Sequence, residues 1–262
     1  MVLIPVLLAV LFIAPPIVMA ILLGILCAIA AYELLAGTGM VKHVRMIVYT
    51  MVVAFVVPLW CFFGMVQFWG LLMVFLYLTV MFGEILASHG KLRLEKISIC
   101  AFGGLIIPYF FSALVRIMGD GSLRFTIVLP FLLSFLSDTG AYFIGCAYGR
   151  HKLAPNISPN KSIEGLVGGI AFAVLGMLLY CVIIHFAFDR QVNYLYALTY
   201  GIVGAFCGTF GDLSFSAIKR QAGIKDYGNL IPGHGGVLDR FDSVIFVAPL
   251  TEILLMALPV LV

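Results

Sequence analysis

Long apolar runs, broken only by short polar stretches, fill most of this chain. Of the 262 residues, 63% are hydrophobic and 10% are charged, a composition far outside the range of soluble domains. Backbone N–H and C=O groups find no water inside lipid, so only helices and closed barrels can cross a bilayer. The apolar runs are continuous and lack the alternation of barrel strands. The sequence therefore predicts an all-α, polytopic integral membrane protein.

A span of about 20 apolar residues, applied between the polar breaks, predicts about nine transmembrane helices. The first predicted helix is short, and Pro15 and Pro16 separate it from the second. The predicted helices cover residues 1–14, 17–36, 46–63, 67–87, 97–115, 124–148, 165–187, 194–217 and 241–261.

The distribution of Lys and Arg between the connections predicts the orientation. Connections that follow even-numbered helices contain Lys42, Arg45, Lys91, Arg93, Lys96, Arg150, Lys152, Lys161, Lys219, Arg220, Lys225 and Arg240. The other connections contain only Arg116, Arg124 and Arg190. Cytoplasmic loops carry the excess of Lys and Arg in membrane proteins. We therefore predict a cytoplasmic N-terminus, an outside C-terminus and cytoplasmic loops after the even-numbered helices.

Charge and cysteine content exclude some partners. The formal net charge of +3 is too small to indicate nucleic acid binding. The six cysteines lie singly in apolar runs without a C-x-x-C pair, so we interpret them as small packing residues.

Polar residues are distributed unevenly along the chain. Up to about residue 130, Glu33 and Glu84 are the only acids within predicted spans. Each lies near a cytoplasmic helix end, where its side chain is expected to reach water or a basic neighbour. We predict that residues 1–130 form a scaffold and dimerisation region. Residues 131–262 are predicted to form the catalytic region, with cytoplasmic loops at residues 149–165 and 218–241.

Asp138 stands in the stretch Ser-Asp-Thr-Gly at residues 137–140, well inside the sixth predicted helix. An ionisable group at that depth is costly, by roughly 2.5–3.5 kcal/mol on insertion scales, and usually has a function. The alternative is a structural role, in which Asp138 hydrogen-bonds a broken helix turn at Gly140.

The next polar stretch is the loop that precedes the seventh predicted helix. Ser158 or Ser162 is expected to cap that helix, and Glu164 could add to the cap. Lys161 is not needed for a cap. A lysine adds positive charge to the positive end of a helix, which is unfavourable unless an anion binds there. Lys161 therefore favours a phosphate-facing site.

Three further aspartates lie around the last polar loop. Asp212 lies about two turns inside the eighth predicted helix, and Asp239 and Asp242 are three residues apart at the start of the ninth. Carboxylates that converge from two helices suit a hard cation such as Mg²⁺, which recruits phosphate oxygens as further ligands. The alternative is a solvated basic loop whose acids cap the ninth helix.

The same loop offers anion-binding groups. Glycine N–H groups and basic side chains can both surround a phosphate. The glycines are Gly228, Gly233, Gly235 and Gly236, and the basic residues are Lys219, Arg220, Lys225, His234 and Arg240.

This segment resembles the signature of the phosphatidate cytidylyltransferases, or CDP-diacylglycerol synthases. The signature runs from Ser216 to Asp242 and each of its fixed positions is met. Those positions include Lys219, Arg220, Lys225, Asp226, Gly228, Ile231, Pro232, His234, Gly235, Gly236, Val237, Asp239 and Arg240. The stretches at 137–140 and 158–165 also look like this family, so the motif resemblance covers residues 134–243.

The resemblance implies a homodimeric enzyme of the inner (cytoplasmic) membrane with its active site facing the cytoplasm. Its expected reaction converts CTP and phosphatidic acid to CDP-diacylglycerol and pyrophosphate, with Mg²⁺ and, as a second candidate, K⁺. The expected metal ligands are Asp212 and Asp239, with Asp242 and Asp138 for a second cation or an outer contact. The expected catalytic residues are Asp239, Asp212, Lys219, Arg220 and His234, although His234 could equally fix the loop. The expected substrate contacts are Lys161, Ser162, Ser158, Lys225, Arg240, Gly235 and Gly236.

Competing classes fit the sequence less well. A transporter predicts polar residues in both membrane halves, whereas the polar residues here lie from mid-membrane to the cytoplasmic side. A CDP-alcohol phosphotransferase would carry an Ala-Arg continuation that the stretch from Asp239 to Ser243 lacks. A CTP-dependent polyprenol or phytol kinase is harder to exclude by chemistry alone.

Overall fold

Helices make up most of the computed structural model, as the apolar runs predict. The structure describes residues 15–89, 92–119, 125–228 and 235–261. Its only strands within these ranges form one two-stranded antiparallel sheet. The predicted all-α membrane architecture is therefore confirmed.

The described residues of the N-terminal half form six helices and two π-helical turns. In chain order these are α1 (Pro16–Tyr32), a π-helical turn at Glu33–Gly37, α2 (Val44–Phe62), α3 (Gln67–Ala87), α4 (Leu94–Ala101), a second π-helical turn at Phe102–Ile106, α5 (Ile107–Phe111) and α6 (Ala113–Gly119). The helix predicted over residues 97–115 is thus a chain of shorter segments. Gly103, Gly104 and Pro108 lie at its irregular centre, where glycine and proline weaken a regular α-helix.

In the C-terminal half, the described residues form the sheet and four long helices. These elements are α7 (Val128–Tyr148), β1 (Lys152–Ala154), β2 (Ser158–Ser162), α8 (Ile163–Phe188), α9 (Tyr194–Gln221) and α10 (Leu238–Ala257). In the hairpin, Lys152 pairs with Ser162 and Ala154 pairs with Ser158. The predicted loop 149–165 is therefore mostly a hairpin that leads directly into α8.

Seven helical segments of the described residues are long and apolar enough to cross a membrane. They are Pro16–Gly37, Val44–Phe62, Gln67–Ala87, Leu94–Met118, Val128–Tyr148, Ile163–Phe188 and Tyr194–Gln221. The first predicted helix, residues 1–14, lies outside the described residues. The last predicted helix corresponds to α10, which is not among the seven segments. The count of nine spans stays a prediction, and a multi-pass membrane protein is confirmed.

The chain divides into two compact units. Unit 1 consists of the described residues of Met1–Gly119 and Gln221–Arg240, and unit 2 of those of Asp120–Arg220 and Phe241–Val262. Residues 221–240 thus belong with the N-terminal helices. The predicted division into a scaffold region and a catalytic region at residue 130 concerns function, which these units do not test, and it stays a prediction.

Unit 1 has a core of apolar side chains from the π-helical turn at Glu33–Gly37, from α2, α3 and α4, and from the connections between them. Its buried members are Leu35, Val41, Met46, Ile47, Tyr77, Met81, Leu92, Ile97 and Cys100. Thr50 of α2 and Tyr77 of α3 share a buried hydrogen bond of 2.9 Å between their hydroxyl groups. This bond satisfies both polar groups inside an apolar core.

Unit 2 is organised around α7, α8, α9 and α10. Its core contains Leu129, Leu133, Met177, Cys181, Ile184, Ala197, Tyr200, Val247, Leu254, Val260 and Leu261. The helices α7 and α8 approach each other through small residues, as is common between helices in lipid. Gly140, Gly168 and Gly169 lie in this contact. Close packing of these helices sets the position of Asp138 on α7.

Candidate functional site

Three acids in unit 2 form what we call the carboxylate cluster: Asp138, Asp212 and Asp242. They come from α7, α9 and α10 respectively. Asp242 interacts electrostatically with both Asp212 and Asp138, and Asp138 interacts with Asp212. The structure therefore brings together three aspartates that are separated widely in sequence. Each of them had been predicted as a metal ligand.

Asp212 is the most contacted member of the cluster. Its Oδ2 lies 2.5 Å from Nζ of Lys161, and both side chains are about one quarter exposed, at 25% and 24%. Ser216 Oγ, one turn further along α9, donates a hydrogen bond of 3.1 Å to Oδ1. Lys161 was predicted to face a substrate phosphate. In the structure its charge is balanced by Asp212, and the phosphate-facing role stays a prediction.

Asp138 and Asp242 are joined through Ser243. The Ser243 hydroxyl lies 3.4 Å from Oδ2 of Asp138, and the Ser243 N–H donates a hydrogen bond of 2.8 Å to Oδ1 of Asp242. The helix α7 runs unbroken through Gly140. The alternative role for Asp138, in which it repairs a broken turn at Gly140, is therefore wrong.

Close packing of α9 against α10 places Asp212 and Asp242 near each other. A Cβ on Gly211 would lie only 2.8 Å from the carbonyl oxygen of Asp242 and 3.1 Å from the Phe246 side chain. Only glycine permits this approach, because a real Cβ almost never lies within 3.0 Å of another heavy atom. Gly211 directly precedes Asp212, so the close contact lies beside the predicted ligand.

Two basic residues, Lys219 and Arg220, lie in the last turn of α9. Lys219 is only 9% exposed and interacts electrostatically with Asp242. Arg220 donates a hydrogen bond of 3.1 Å from Nε to the carbonyl oxygen of Ile157, in the turn of the hairpin. Lys161 and Arg220 thus connect β2 and the hairpin turn to α9.

The hairpin also fixes the start of α8. Ser162 is the N-cap residue, and its Oγ accepts a hydrogen bond of 3.1 Å from the Gly165 N–H, which confirms the predicted cap. Glu164 contacts the preceding connection instead of the cap. Its carboxylate accepts the N–H groups of Arg150 and His151 and lies 2.6 Å from Nδ1 of His151. Ser158 lies on β2 opposite Ala154.

The described part of the signature that belongs to unit 1 contains one of the predicted metal ligands, Asp239. Oδ2 of Asp239 accepts hydrogen bonds from the N–H groups of Tyr227 at 2.8 Å and Gly236 at 3.0 Å. The Gly236 N–H was predicted to face a substrate anion, but here it binds an internal carboxylate. Gly235 adopts a positive φ of 80°, which glycine tolerates best.

The remaining predicted site residues are Lys225, Arg240, His234 and Gly233. Lys225 and Arg240 are exposed in unit 1. His234 and Gly233 lie outside the described residues. The roles predicted for these residues stay predictions.

Sequence reasoning missed the role of Glu33. This side chain was expected near water, but it is only 3% exposed. Oε1 accepts the Val237 N–H at 2.9 Å, and Oε2 accepts the Leu238 N–H at 2.8 Å. The partners are more than 200 residues away in sequence, so no local pattern reveals them. The one available signal was an acid within an apolar span.

The donor chemistry of the carboxylate cluster suits Mg²⁺. Among the described residues, no three His, Cys, Asp or Glu side chains are arranged to hold a metal ion by themselves. Mg²⁺ usually takes one or two carboxylates and completes its shell with waters and substrate phosphates. The cluster provides three carboxylates, and one or two of them are enough for such a site.

Comparisons with known proteins agree with these features. A model of the cytidylyltransferase family matches residues 1–258. A protein named phosphatidate cytidylyltransferase from Staphylococcus epidermidis is 44% identical over 155 residues, which cover 59% of this chain and 56% of that protein. A protein of the same name from Staphylococcus aureus is 46% identical over 129 residues, covering 49% of this chain and 48% of that protein.

The matched part of the chain spans about half the length of these relatives. The family match, in contrast, extends over nearly all of the residues, including both units and the complete signature from Ser216 to Asp242. The chain belongs to the cytidylyltransferase family.

Proposed function

We propose that this protein is a phosphatidate cytidylyltransferase, which forms CDP-diacylglycerol and pyrophosphate from CTP and phosphatidic acid. The observation that carries the proposal is the meeting of three carboxylates with Lys161 and Lys219 in unit 2. Two polyanionic substrates require both kinds of charge in one place. The family membership and the names of the Staphylococcus relatives support the same reaction.

The proposed chemistry is a direct displacement at the α-phosphorus of CTP. A phosphate oxygen of phosphatidic acid forms the new P–O bond, and the bond from the α-phosphorus to the bridging oxygen of the β-phosphate breaks. The electron pair of the broken bond leaves with pyrophosphate. Because the nucleophile is already an anion, no strong general base is needed. Catalysis then depends on holding two anions together and stabilising charge on the leaving group.

Lysines of unit 2 are suited to that task. Lys219 is nearly buried, so its charge is poorly screened by water and acts strongly on a nearby phosphate. Lys161 lies on a strand of the hairpin, where it can exchange Asp212 for a phosphate oxygen without a rearrangement of a helix. Lys225, Arg240 and Gly235 of unit 1 stay predicted substrate contacts, and His234 stays a predicted catalytic residue.

We also propose Mg²⁺ as the cofactor, with K⁺ as a second candidate. One or two of Asp212, Asp138 and Asp242 would hold the cation through their carboxylate oxygens, and waters and substrate phosphates would complete its shell. When bound, Mg²⁺ would neutralise phosphate charge and act as a Lewis acid at phosphoryl oxygens. Asp239 already accepts two backbone N–H groups, so its predicted role as a ligand depends on its other oxygen.

The proposal places the enzyme in the inner (cytoplasmic) membrane, with the hairpin and the cluster facing the cytoplasm, where CTP is available. The excess of Lys and Arg in the connections after even-numbered helices supports this orientation. We also propose a homodimer, and its only support is the resemblance to the family.

The test is an assay of purified protein with α-labelled CTP and mixed micelles that contain phosphatidic acid. The proposal expects chloroform-soluble label that depends on phosphatidic acid, with one pyrophosphate released for each labelled lipid. Micelles with diacylglycerol or a polyprenol in its place should give no labelled lipid. If no label enters the lipid in the presence of phosphatidic acid and Mg²⁺, the proposal is wrong.

A further inference from the structure

Glu33 stands out among the buried ionisable groups because the proposed chemistry does not use it. It begins the π-helical turn at Glu33–Gly37 that follows α1. Both of its carboxylate oxygens accept backbone N–H groups from Val237 and Leu238. None of the ion pairs of the described residues involves Glu33, so its charge is balanced by N–H groups at the positive end of α10.

The position of these two N–H groups explains why an acid is favoured there. The first N–H groups of a helix have no partner inside the helix, and α10 begins at Leu238. A buried N–H without an acceptor is costly, as is a buried carboxylate without a donor. Glu33 satisfies both requirements across the core of unit 1.

Glycines of the signature fit around this carboxylate. A Cβ on Gly236 would lie 2.5 Å from Oε2 of Glu33, and a Cβ on Gly228 would lie 2.9 Å from Oε1. A side chain at either position would push against Glu33. The lack of space beside Glu33 therefore explains why glycine occupies these two positions, whether or not a substrate anion binds there.

The same backbone segment holds Asp239. Its Oδ2 accepts the N–H groups of Tyr227 and Gly236, while Glu33 accepts those of Val237 and Leu238. The two carboxylates thus accept four N–H groups, three of which belong to residues 236–238. A shift of the backbone at Val237 and Leu238 would move the start of α10 and, with it, Asp239.

We propose that Glu33 is a positioning residue, which holds the backbone of residues 236–238 and thereby fixes Asp239 for the transfer reaction. The effect on turnover rests on the proposed function, because only that function gives Asp239 a role in the reaction. The effect on the backbone does not depend on it.

The test compares Glu33→Gln with wild type by amide hydrogen exchange, with purified full-length protein free of nucleotide and divalent metal. The amide group of Gln has the same size but loses the negative charge and one acceptor. A hydrogen bond to a charged group is worth enough to slow opening by about tenfold or more. We expect exchange of peptides within residues 225–240 to rise by about that factor, with no change in α7 and α8.

Turnover is the second measurement. We expect kcat of Glu33→Gln to fall by about tenfold or more, while KM for CTP changes by less than about threefold, because Glu33 does not touch the nucleotide. Glu84→Gln is the matched control. It makes the same change in α3 and should leave both measurements at the wild-type value.

A second variant, Gly236→Ala, adds a Cβ that would overlap the carboxylate of Glu33. It should also raise hydrogen exchange at residues 225–240. Unchanged exchange at residues 225–240 in both variants would overturn the proposal. Exchange that rises equally in α7 and α8, failure of both variants to fold, or a local rise with normal kcat would also contradict a positioning role. If wild type instead sends the γ-phosphate of CTP into lipid, the proposed function fails, while the exchange result still decides the backbone role.

Discussion

At the residue scale, the carboxylate cluster shows that the charged residues of the site first satisfy one another. Asp212 pairs with Lys161, and Ser243 bonds both Asp138 and Asp242. Isolated charges of one sign would be far more costly in a lipid-embedded protein. Under the proposed function, substrates and a cation would bind by exchange of partners, which avoids bare charges at any stage.

Replacement of Asp212 by Asn tests the most contacted member of the cluster. The variant keeps the size of the side chain but removes its charge, so we expect turnover to fall by at least about a hundredfold, the scale of losing a key electrostatic group. Initial rates at saturating Mg²⁺ and equal protein level measure the effect.

The control for Asp212→Asn is Asp189→Asn at the end of α8. Asp189 has a φ of 50°, a conformation that Asn also tolerates, so this variant should keep the wild-type rate. A near-normal rate of Asp212→Asn would exclude Asp212 as a cation ligand.

The sequence indicated the three acids that meet in the carboxylate cluster, but it did not indicate what each of them contacts. Asp138, Asp212 and Asp242 were recognised because an acid in an apolar helix needs a reason. The pairing of Lys161 with Asp212 was not predicted. It depends on the hairpin of β1 and β2, and the polar residues of that stretch do not indicate two strands. Glu33 was misinterpreted because its partners Val237 and Leu238 are distant in sequence.

At the element scale, the approach of α9 to α10 determines the spacing of Asp212 and Asp242. Gly211 permits this approach, and the two acids lie next to the point of contact. The helix positions were predictable from apolar runs, whereas this contact was not. Which faces of two helices meet depends on side-chain shape along both of them.

Substitution of Gly211 by Ala should therefore disturb the cluster without changing any charge. The added Cβ would overlap the Asp242 carbonyl oxygen, so the helices must separate, at a cost of about 1–3 kcal/mol. We expect a lower thermal midpoint and a lower rate of transfer, both measured in the same detergent.

Gly83→Ala in α3 is the matched control for Gly211→Ala. A Cβ there meets nothing within 4 Å, so this variant should be neutral or more stable, by up to about 1 kcal/mol. Equal behaviour of the two variants would show that the close approach of α9 and α10 is unimportant.

At the scale of the whole molecule, hydropathy alone predicted the class of fold. It did not predict the irregular segments, such as the π-helical turn at Phe102–Ile106 or the hairpin of β1 and β2. These depend on local backbone bonding that a count of apolar residues does not detect. The large apolar side chains exposed on the described helices, among them Leu71, Leu175, Phe186 and Phe210, are as expected for surfaces in lipid.

The predicted orientation can be tested with single cysteines. The exposed native Cys146 must first be replaced by Ala, since it would react itself. In that background, Asn160→Cys on the hairpin should resist impermeant thiol reagents in intact cells and react after permeabilisation. Gln191→Cys, on the opposite side of the predicted membrane, should react in intact cells. Labelling of Asn160→Cys from outside would contradict the orientation.

The most direct test of the account is the fate of the two ends of the CTP triphosphate. Parallel reactions with α-labelled and γ-labelled CTP, phosphatidic acid and Mg²⁺ distinguish a cytidylyltransferase from a lipid kinase that uses the same nucleotide. We predict that the α-label enters the chloroform-soluble lipid and that the γ-label is released as pyrophosphate, with both results lost in Asp212→Asn. A lipid that carries the γ-label and no α-label would contradict the proposed function.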